Sequence, residues 1–463
     1  MELTDIRAVY FVGIGGIGMS ALARYFLRKG VAVGGYDRTP SILTGELEKE
    51  GAAIHYADEP EEIPADFRHA GHTLVVYTPA IPADHREMAF FREGGYEMQK
   101  RAQLLGTLTR MHRGLCVAGT HGKTTTSAMT AHLLHESGVG CNAFLGGIAK
   151  NYDTNFLLSA TSEYVVIEAD EFDRSFHHLR PFATVITSAD PDHLDIYGTA
   201  EAYRESFEHY TSLIAPGGCL VMHSDVHITP RTAEGVSVYT YGRTEGDFRA
   251  ERVRIGGGRV LFDLVSPLGN IADIELGVPV SINIDNGIAA AALAQISGAT
   301  ADEIRAAMLS YAGVVRRFDF KIRRDDLVLL SDYAHHPEEI RQSIASIREV
   351  FGGRKITGVF QPHLFSRTND FYEEFAESLS TLDRLILLDI YPAREKPMPG
   401  VTSNLIFDRL PADLPKELCR KEELIDVIRR SAADIDVLMV LGAGDVDDYM
   451  PQLEAVLLTR GSR

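Results

Sequence analysis

The sequence predicts an α/β protein built as three domains in series, and three observations carry that prediction. The chain has 463 residues, about three times the roughly 150 residues of a typical domain. Short apolar runs alternate with helical stretches along its length, the pattern of parallel sheets with crossover helices. That alternation restarts at "LCVAG" (Leu115) and again after "YAGVVRRFDFKI", where the pattern changes. The expected domains are therefore 1–110, 111–316 and 317–463, with boundaries good to about ten residues.

Composition narrows the function classes. A hydrophobic fraction of 45% and a charged fraction of 24% are ordinary for a soluble globular chain. The net charge of −19 argues against nucleic acid or an anionic membrane as the main partner, because both need a basic footprint. Cys116, Cys141, Cys219 and Cys419 are scattered without a CxxC pair. They read as buried free thiols in a reducing compartment. The start, "MELTDIRAVYFVGIGG", puts acidic residues before a short apolar run and reads as a first strand, not a secretory leader. No apolar run reaches the roughly 18 residues of a membrane span, so a cytoplasmic protein is expected.

Taken in order, "AVYFVGIGGIGMSALARYFLRKGVAVGGYD" reads as strand, Gly-rich turn, helix and strand. Gly13, Gly15 and Gly18 make a GxGxxG at a strand-to-helix turn, where the backbone can approach a diphosphate and helix N–H groups face the anion. Asp37 ends the next strand, where an acid can bind a ribose hydroxyl. These residues do not separate a dinucleotide from a sugar nucleotide. The stretch Gly119-Thr120-His121-Gly122-Lys123-Thr124-Thr125 follows the Leu115 strand and opens a helix. It carries two residues between its glycines where the common P-loop carries four. The physics is kept: backbone N–H groups cradle phosphate oxygens, Lys123 offsets charge on the β and γ groups, and the Thr124 hydroxyl can ligate Mg²⁺.

The strand in "EYVVIEADEFD" ends at Glu168, a candidate metal ligand, with Asp170, Glu171 and Asp173 following. His193 in "TSADPDHLD" falls at the same expected sheet edge, and carboxylate plus imidazole could hold a second Mg²⁺. Short β-like runs over 236–280 suggest a small antiparallel lobe on the middle domain. Asn283 and Asn286, three apart on one helix face, could read an adenine edge. Arg316 and Arg317 lie at the domain junction. Asp332, Tyr333, His335 and His336 follow one apolar strand of the last domain, and His363 and Arg367 follow another. A guanidinium at the junction could reach a γ-phosphate when domains close.

With these motifs in this order ("GIGGIGMSALA", "GTHGKTTT", "EADEFDRSF", "DPDHLD", "RRF", "DYAHHP", "QPHLFSR", "LGAGD") the chain resembles the Mur ligases, the ATP-dependent amide-forming enzymes of peptidoglycan synthesis. The resemblance spans almost the whole chain. It implies an N-terminal Rossmann-like domain for the UDP-sugar, a central P-loop ATPase-type domain, and a C-terminal Rossmann-like domain for the amino acid. It further implies that ATP phosphorylates a carboxylate and that an amine displaces phosphate from the acyl phosphate. Carried over by motif, Lys123 and Thr124 hold phosphates and Mg²⁺, and Glu168 and His193 ligate metal. Asn283 and Asn286 read adenine, Arg317 meets the γ-phosphate, and Asp332 meets the ATP ribose. Tyr333, His335, His363 and Arg367 face the acceptor and the muramyl side, while Gly15, Gly16, Ser20 and Asp37 belong to the UDP-sugar.

No Lys occurs between His193 and Glu208, where several Mur ligases use a carbamylated lysine. That resembles the branch that adds L-alanine to UDP-N-acetylmuramate, which would act as a monomer or weak dimer. Ile282 stands where related sequences often carry His, and Leu364 where they often carry Arg after "QPH". The alternative within the class is a peptide-recycling ligase that joins the same sugar nucleotide to a tripeptide. A folate polyglutamate ligase leaves the Gly13–Gly18 loop without a role. An NAD oxidoreductase leaves the Lys123 loop unexplained, and a non-catalytic scaffold would not need Lys123.

Overall fold

The computed structural model describes residues 6–459 apart from 79, 80, 83 and 394. It contains three sheets. The first is all-parallel, in the order β3-β2-β1-β4-β5, from β1 (Ala8–Val12), β2 (Ala32–Tyr36), β3 (Ala53–His55), β4 (Thr73–Tyr77) and β5 (Glu97–Lys100). β1 is buried throughout, and its alternate side chains serve two cores. Val9 and Phe11 pack with Met19, Leu22 and Phe26 of α1 (Ile17–Arg28). Ala8, Tyr10 and Val12 pack with Phe67, Val75 and Phe91 on the opposite face. Sequence alternation could not announce this strand, because a strand covered on both faces is apolar at every position.

Under that second core lies a buried polar cluster. The Tyr10 hydroxyl donates to Glu87 Oε2 (2.8 Å) and lies 2.6 Å from His55 Nε2. Glu87 belongs to α3 (Arg86–Glu93), which follows α2 (Ile42–Glu50). Its carboxyl is fully buried, and burial pushes its pKa up to about 8, against the Tyr10 hydrogen bond and with the help of Asp58 and Glu62. Burial holds His55 and His85 below the usual histidine value of 6.5. In the folded chain both imidazoles are therefore neutral above pH 6.5, and what they still titrate in the unfolded chain is the same with or without Glu87. Glu87 then keeps its proton only in the folded protein, so stability falls as pH rises towards 8. The expected loss between pH 6.5 and 8 is about 2 kcal/mol, and Glu87→Gln should remove it. Chemical denaturation of both proteins at the two pH values checks this; equal losses would contradict it.

The second sheet runs β15-β14-β13-β12-β11-β10-β6-β9-β7-β8. Its strands are β6 (Arg113–Ala118), β7 (Asn142–Ala149), β8 (Thr154–Leu157), β9 (Tyr164–Ala169), β10 (Ala183–Ile186), β11 (Cys219–His223), β12 (Ser237–Gly242), β13 (Phe248–Gly256), β14 (Arg259–Val265) and β15 (Ile271–Glu275). β6 lies parallel between β9 and β10. In open α/β sheets, ligands bind outside the carboxyl ends of strands where the order reverses, and β6 ends at such a place. The third sheet, β16-β17-β21-β18-β19-β20, comprises β16 (Asp319–Arg323), β17 (Val328–Asp332), β18 (Ile356–Phe360), β19 (Arg384–Leu388), β20 (Lys416–Cys419) and β21 (Val437–Leu441). Only β16 runs antiparallel to its neighbour there.

The chain forms two compact units: residues 1–251, 263–274 and 285–311, and residues 252–262, 275–284 and 312–463. The expected β-runs over 236–280 form β12–β15 and extend the sheet of the middle domain instead of making a separate antiparallel lobe, with β12 and β13 parallel. Segments 252–262 and 275–284 group with the C-terminal unit, where Gly258 N–H bonds Val350 O (3.4 Å) and Leu276 N–H bonds Val260 O (3.0 Å). Cys116, Cys141 and Cys219 are buried free thiols, pushed up to about 12 by burial. Cys419 departs from the expectation in being only partly buried. Among the described residues no helix is long and apolar enough to cross a membrane.

Candidate active site

α4 (Arg101–Met111) leads into β6, and the loop after β6 leads into α5 (Lys123–His135). Gly119 (φ +135°) and Gly122 (φ +79°) hold the loop in backbone regions that other residues avoid. A methyl group on Gly119 would overlap the Thr187 hydroxyl. The chain just past β10 braces the loop: Thr187 N–H donates to Ala118 O (2.9 Å), His121 N–H to Ser188 Oγ (3.0 Å), and the Thr120 hydroxyl to Asp190 O (2.7 Å). The α5 N-terminus has no side-chain cap, the arrangement that presents amide N–H groups to an anion.

Lys123 Nζ donates to Gly119 O (2.6 Å) and Thr120 O (3.1 Å), which ties it over its own loop. It also pairs with Glu171 (2.8 Å), whose side chain is 3% exposed. Burial pulls the Lys123 ammonium down, but the Glu171 and Glu168 carboxylates outweigh it and leave the pKa above its ordinary value. Thr124 donates towards both Glu168 oxygens (3.1 and 3.2 Å). Gly146 on β7 makes room for that carboxylate, since a methyl group there would overlap it. Hydroxyl and carboxylate are hard oxygen donors, the set Mg²⁺ prefers, so Thr124 and Glu168 fit that ion. Thr125 O lies 3.5 Å from the Tyr311 hydroxyl.

His193 caps α6 (Leu194–Tyr197) with φ 52° and turns its ring edge-on to Phe172 at 5.1 Å. Its Nε2 lies 3.7 Å from Asp192 and 3.9 Å from Glu171. Among the described residues no three His, Cys, Asp or Glu side chains come together as a metal site. α7 (Ala200–Thr211) precedes α8 (Asn283–Ile296), whose first turn carries both amides. Asn286 Oδ1 accepts from Thr126 (3.0 Å), and a methyl group on Gly122 would lie 2.8 Å from it. Asn283 is 2% exposed and donates to Val278 O (3.3 Å). Sequence reasoning passed over Glu171 as one of a run of acids. Which acid turns inward is set by the tight turn at Asp173 and Arg174 (both φ 53°), a feature with no signature in that run.

The first glycine loop keeps Gly13 at φ +89°. Gly15 N–H donates to Asp37 Oδ2 (2.7 Å), and Gly16 caps α1 without a side-chain bond. Ser20 is fully buried: its hydroxyl donates to Ile17 O (2.9 Å) and accepts from Asn155 Nδ2 (3.0 Å).

The second unit gathers its own cluster. The Arg316 and Arg317 guanidinium groups lie over the Tyr333 ring at 4.8 and 5.0 Å. Arg316 also donates to Gly442 O (3.0 Å) and Gly444 O (2.9 Å), fixing the "LGAG" turn. Asp332, at the end of β17, is buried and accepts from the Ser343 hydroxyl and from Phe318 N–H (3.3 Å). Ser343 lies on α9's successor α10 (Pro337–Val350), α9 being Ala301–Ser310. His335 Nδ1 lies 3.0 Å from Tyr333 O, and its ring is 6.1 Å from that of His363, which stacks on Tyr391. Burial, then the neighbouring His335 and Arg367, push His363 down to about 4. Neutral imidazoles beside Arg317 and Arg367 suit an anionic ligand. Leu364 starts α11 (Phe365–Leu379) at φ 71° and donates its N–H to Tyr391 O (3.0 Å).

Three family models match the chain: residues 8–113 match "Mur ligase family, catalytic domain", residues 117–294 match "Mur ligase middle domain", and residues 316–444 match "Mur ligase, glutamate ligase domain". A Phocaeicola vulgatus protein named UDP-N-acetylmuramate–L-alanine ligase is 63% identical over 457 residues, 99% of this chain and 99% of the relative. A Porphyromonas gingivalis protein of the same name is 53% identical over 456 residues, 98% of this chain and 100% of the relative. The crystal structure of a Thermotoga maritima UDP-N-acetylmuramate–alanine ligase superposes with a TM-score of 0.80 at 27% identity, covering 97% of this chain and 98% of that one. A Psychrobacter arcticus murein peptide ligase shares the fold, with a TM-score of 0.65 at 20% identity over 99% of this chain and 100% of that one. The chain, a three-domain α/β protein, belongs to the Mur ligase family.

Proposed function

We propose that this chain uses ATP to join L-alanine to the carboxylate of UDP-N-acetylmuramate through an acyl phosphate, in peptidoglycan precursor synthesis. The observation that carries the reading is the Lys123 loop, a braced anion cradle with its cation held in place by Glu171, in a chain whose relatives carry that name along their whole length. A carboxylate is a poor electrophile, and phosphorylation gives it a good leaving group. Lys123 offsets negative charge where carboxylate and γ-phosphate meet, and the α5 N–H groups orient the phosphates. Mg²⁺, held by Thr124 and Glu168 with His193 as a further donor on the same edge, would supply charge neutralisation there.

The remaining roles follow the resemblance. Gly119 to Thr125 hold ATP, with Asn283 and Asn286 at adenine, Asp332 at the ribose and Arg317 at the γ-phosphate. Gly15, Gly16 and Asp37 hold the UDP-sugar, and Ser20 braces that loop from behind. Tyr333, His335, His363 and Arg367 face the acceptor amino acid and the muramyl side. Domains 1–110, 111–316 and 317–463 bind UDP-sugar, ATP and amino acid in turn, in a cytoplasmic monomer or weak dimer.

Purified protein with ATP, Mg²⁺, UDP-N-acetylmuramate and L-alanine should release phosphate only when all four are present. A faster rate with the L-Ala–D-Glu–diamino acid tripeptide than with alanine would instead favour the recycling reaction.

A further inference from the structure

One side chain lies between the first glycine loop and the acidic turn whose Glu171 holds Lys123. Arg101 opens α4 directly after β5. Its Nη1 lies against Gly18 in the first turn of α1, where a methyl group would overlap the guanidinium. The guanidinium, the movable end of a flexible side chain, thus sits directly beside the third glycine of the GxGxxG. Nη2 of the same group donates to Asp170 Oδ2 (3.2 Å).

Asp170 is adjacent to Glu171, the carboxylate that holds Lys123. Its Oδ1 accepts Phe172 N–H (3.1 Å) and its carbonyl accepts Phe176 N–H (2.9 Å). The position of Asp170 therefore sets the turn that presents Glu171. Lys100 adds a parallel tie to Asp173 (2.9 Å). The Arg101 and Asp170 side chains are 27% and 35% exposed, open enough to exchange partners. An anion at the Gly13–Gly18 loop would meet this guanidinium at once, and a diphosphate offers it more charge than one solvated carboxylate does.

We propose that Arg101 couples the two loops: a diphosphate bound at Gly13–Gly18 takes Arg101 as a ligand, and the altered Arg101–Asp170 contact frees the turn through which Glu171 restrains Lys123. Arg101 is then a positioning residue for phosphoryl transfer, acting through Asp170 and Glu171. The inference rests on the reading that a sugar nucleotide occupies the first loop. Because coupling between two sites is reciprocal, each nucleotide tightens binding of the other.

The test is calorimetric titration of a non-hydrolysable ATP analogue with Mg²⁺, with and without saturating UDP-N-acetylmuramate. Wild type, Arg101→Lys, Arg101→Met and Asp170→Asn are compared. In wild type the sugar nucleotide should tighten the analogue by about fivefold or more. Arg101→Met should abolish that factor, and Arg101→Lys should retain part of it. Asp170→Asn, nearly isosteric, should abolish it while binding the sugar nucleotide at least as tightly as wild type does. Coupling that is absent in wild type, or that survives in Arg101→Met or Asp170→Asn, overturns the inference and leaves the ligase reading standing. Failure of wild type to bind UDP-N-acetylmuramate at all overturns the ligase reading and the inference with it.

Discussion

Lys123→Met should lower alanine-dependent phosphate release by about 10³-fold or more, equivalent to about 4 kcal/mol of transition-state stabilisation. The ammonium is the one cation tied into the loop by backbone carbonyls, at 2.6 and 3.1 Å. It therefore stands at the cradle where charge develops. The substitution has a second consequence that needs its own control. It strands Glu171, a carboxylate with 3% of its side chain exposed, and breaking a buried pair is costly when one charge remains. Burial already pushes Glu171 upward against the pull of Lys123, so it should take up a proton once Lys123 is gone. The double variant Lys123→Met, Glu171→Gln should then recover thermal stability relative to the single variant but no activity. Recovery of turnover in the double variant would show that Lys123 serves stability only.

Glu168→Gln should cost on the order of 10²-fold in turnover and should raise the Mg²⁺ concentration for half-maximal activity. The substitution keeps the volume that Gly146 accommodates and one oxygen near Thr124, but it removes the negative charge. A hard cation then loses its charged ligand while the hydroxyl remains. Raised Mg²⁺ should restore part of the rate. An unchanged Mg²⁺ dependence would place the metal elsewhere.

Much of this site was legible before any coordinates, because its key elements obey local rules. Gly119 and Gly122 are needed for left-handed backbone, and Lys123 and Thr124 follow at the helix start, so the spacing shows in the letters. The first loop was legible in the same way through Gly13, Gly15 and Asp37. Long-range burial was not. Nothing in "EADEFD" says that Glu171 turns inward to Lys123 while Asp170 meets Arg101, residues 69 positions apart in sequence. Nothing in the letters around Glu87 shows that it is fully buried against Tyr10 across 77 positions. Ser20 read as a ligand contact from its place in the motif, and its hydroxyl turned out to be enclosed by Asn155. The β-like runs over 236–280 were recognised as strands of the middle domain, but not their continuity with the β6 sheet, because that depends on long-range pairing.

The account turns on a phosphoryl group passing to the sugar acid at the Lys123 loop, and isotope transfer tests this most directly. UDP-N-acetylmuramate carrying ¹⁸O in both carboxylate oxygens is turned over with ATP and L-alanine, and the released phosphate is analysed by mass. The account predicts one ¹⁸O in each phosphate and one kept in the amide. Phosphate free of the label would contradict it.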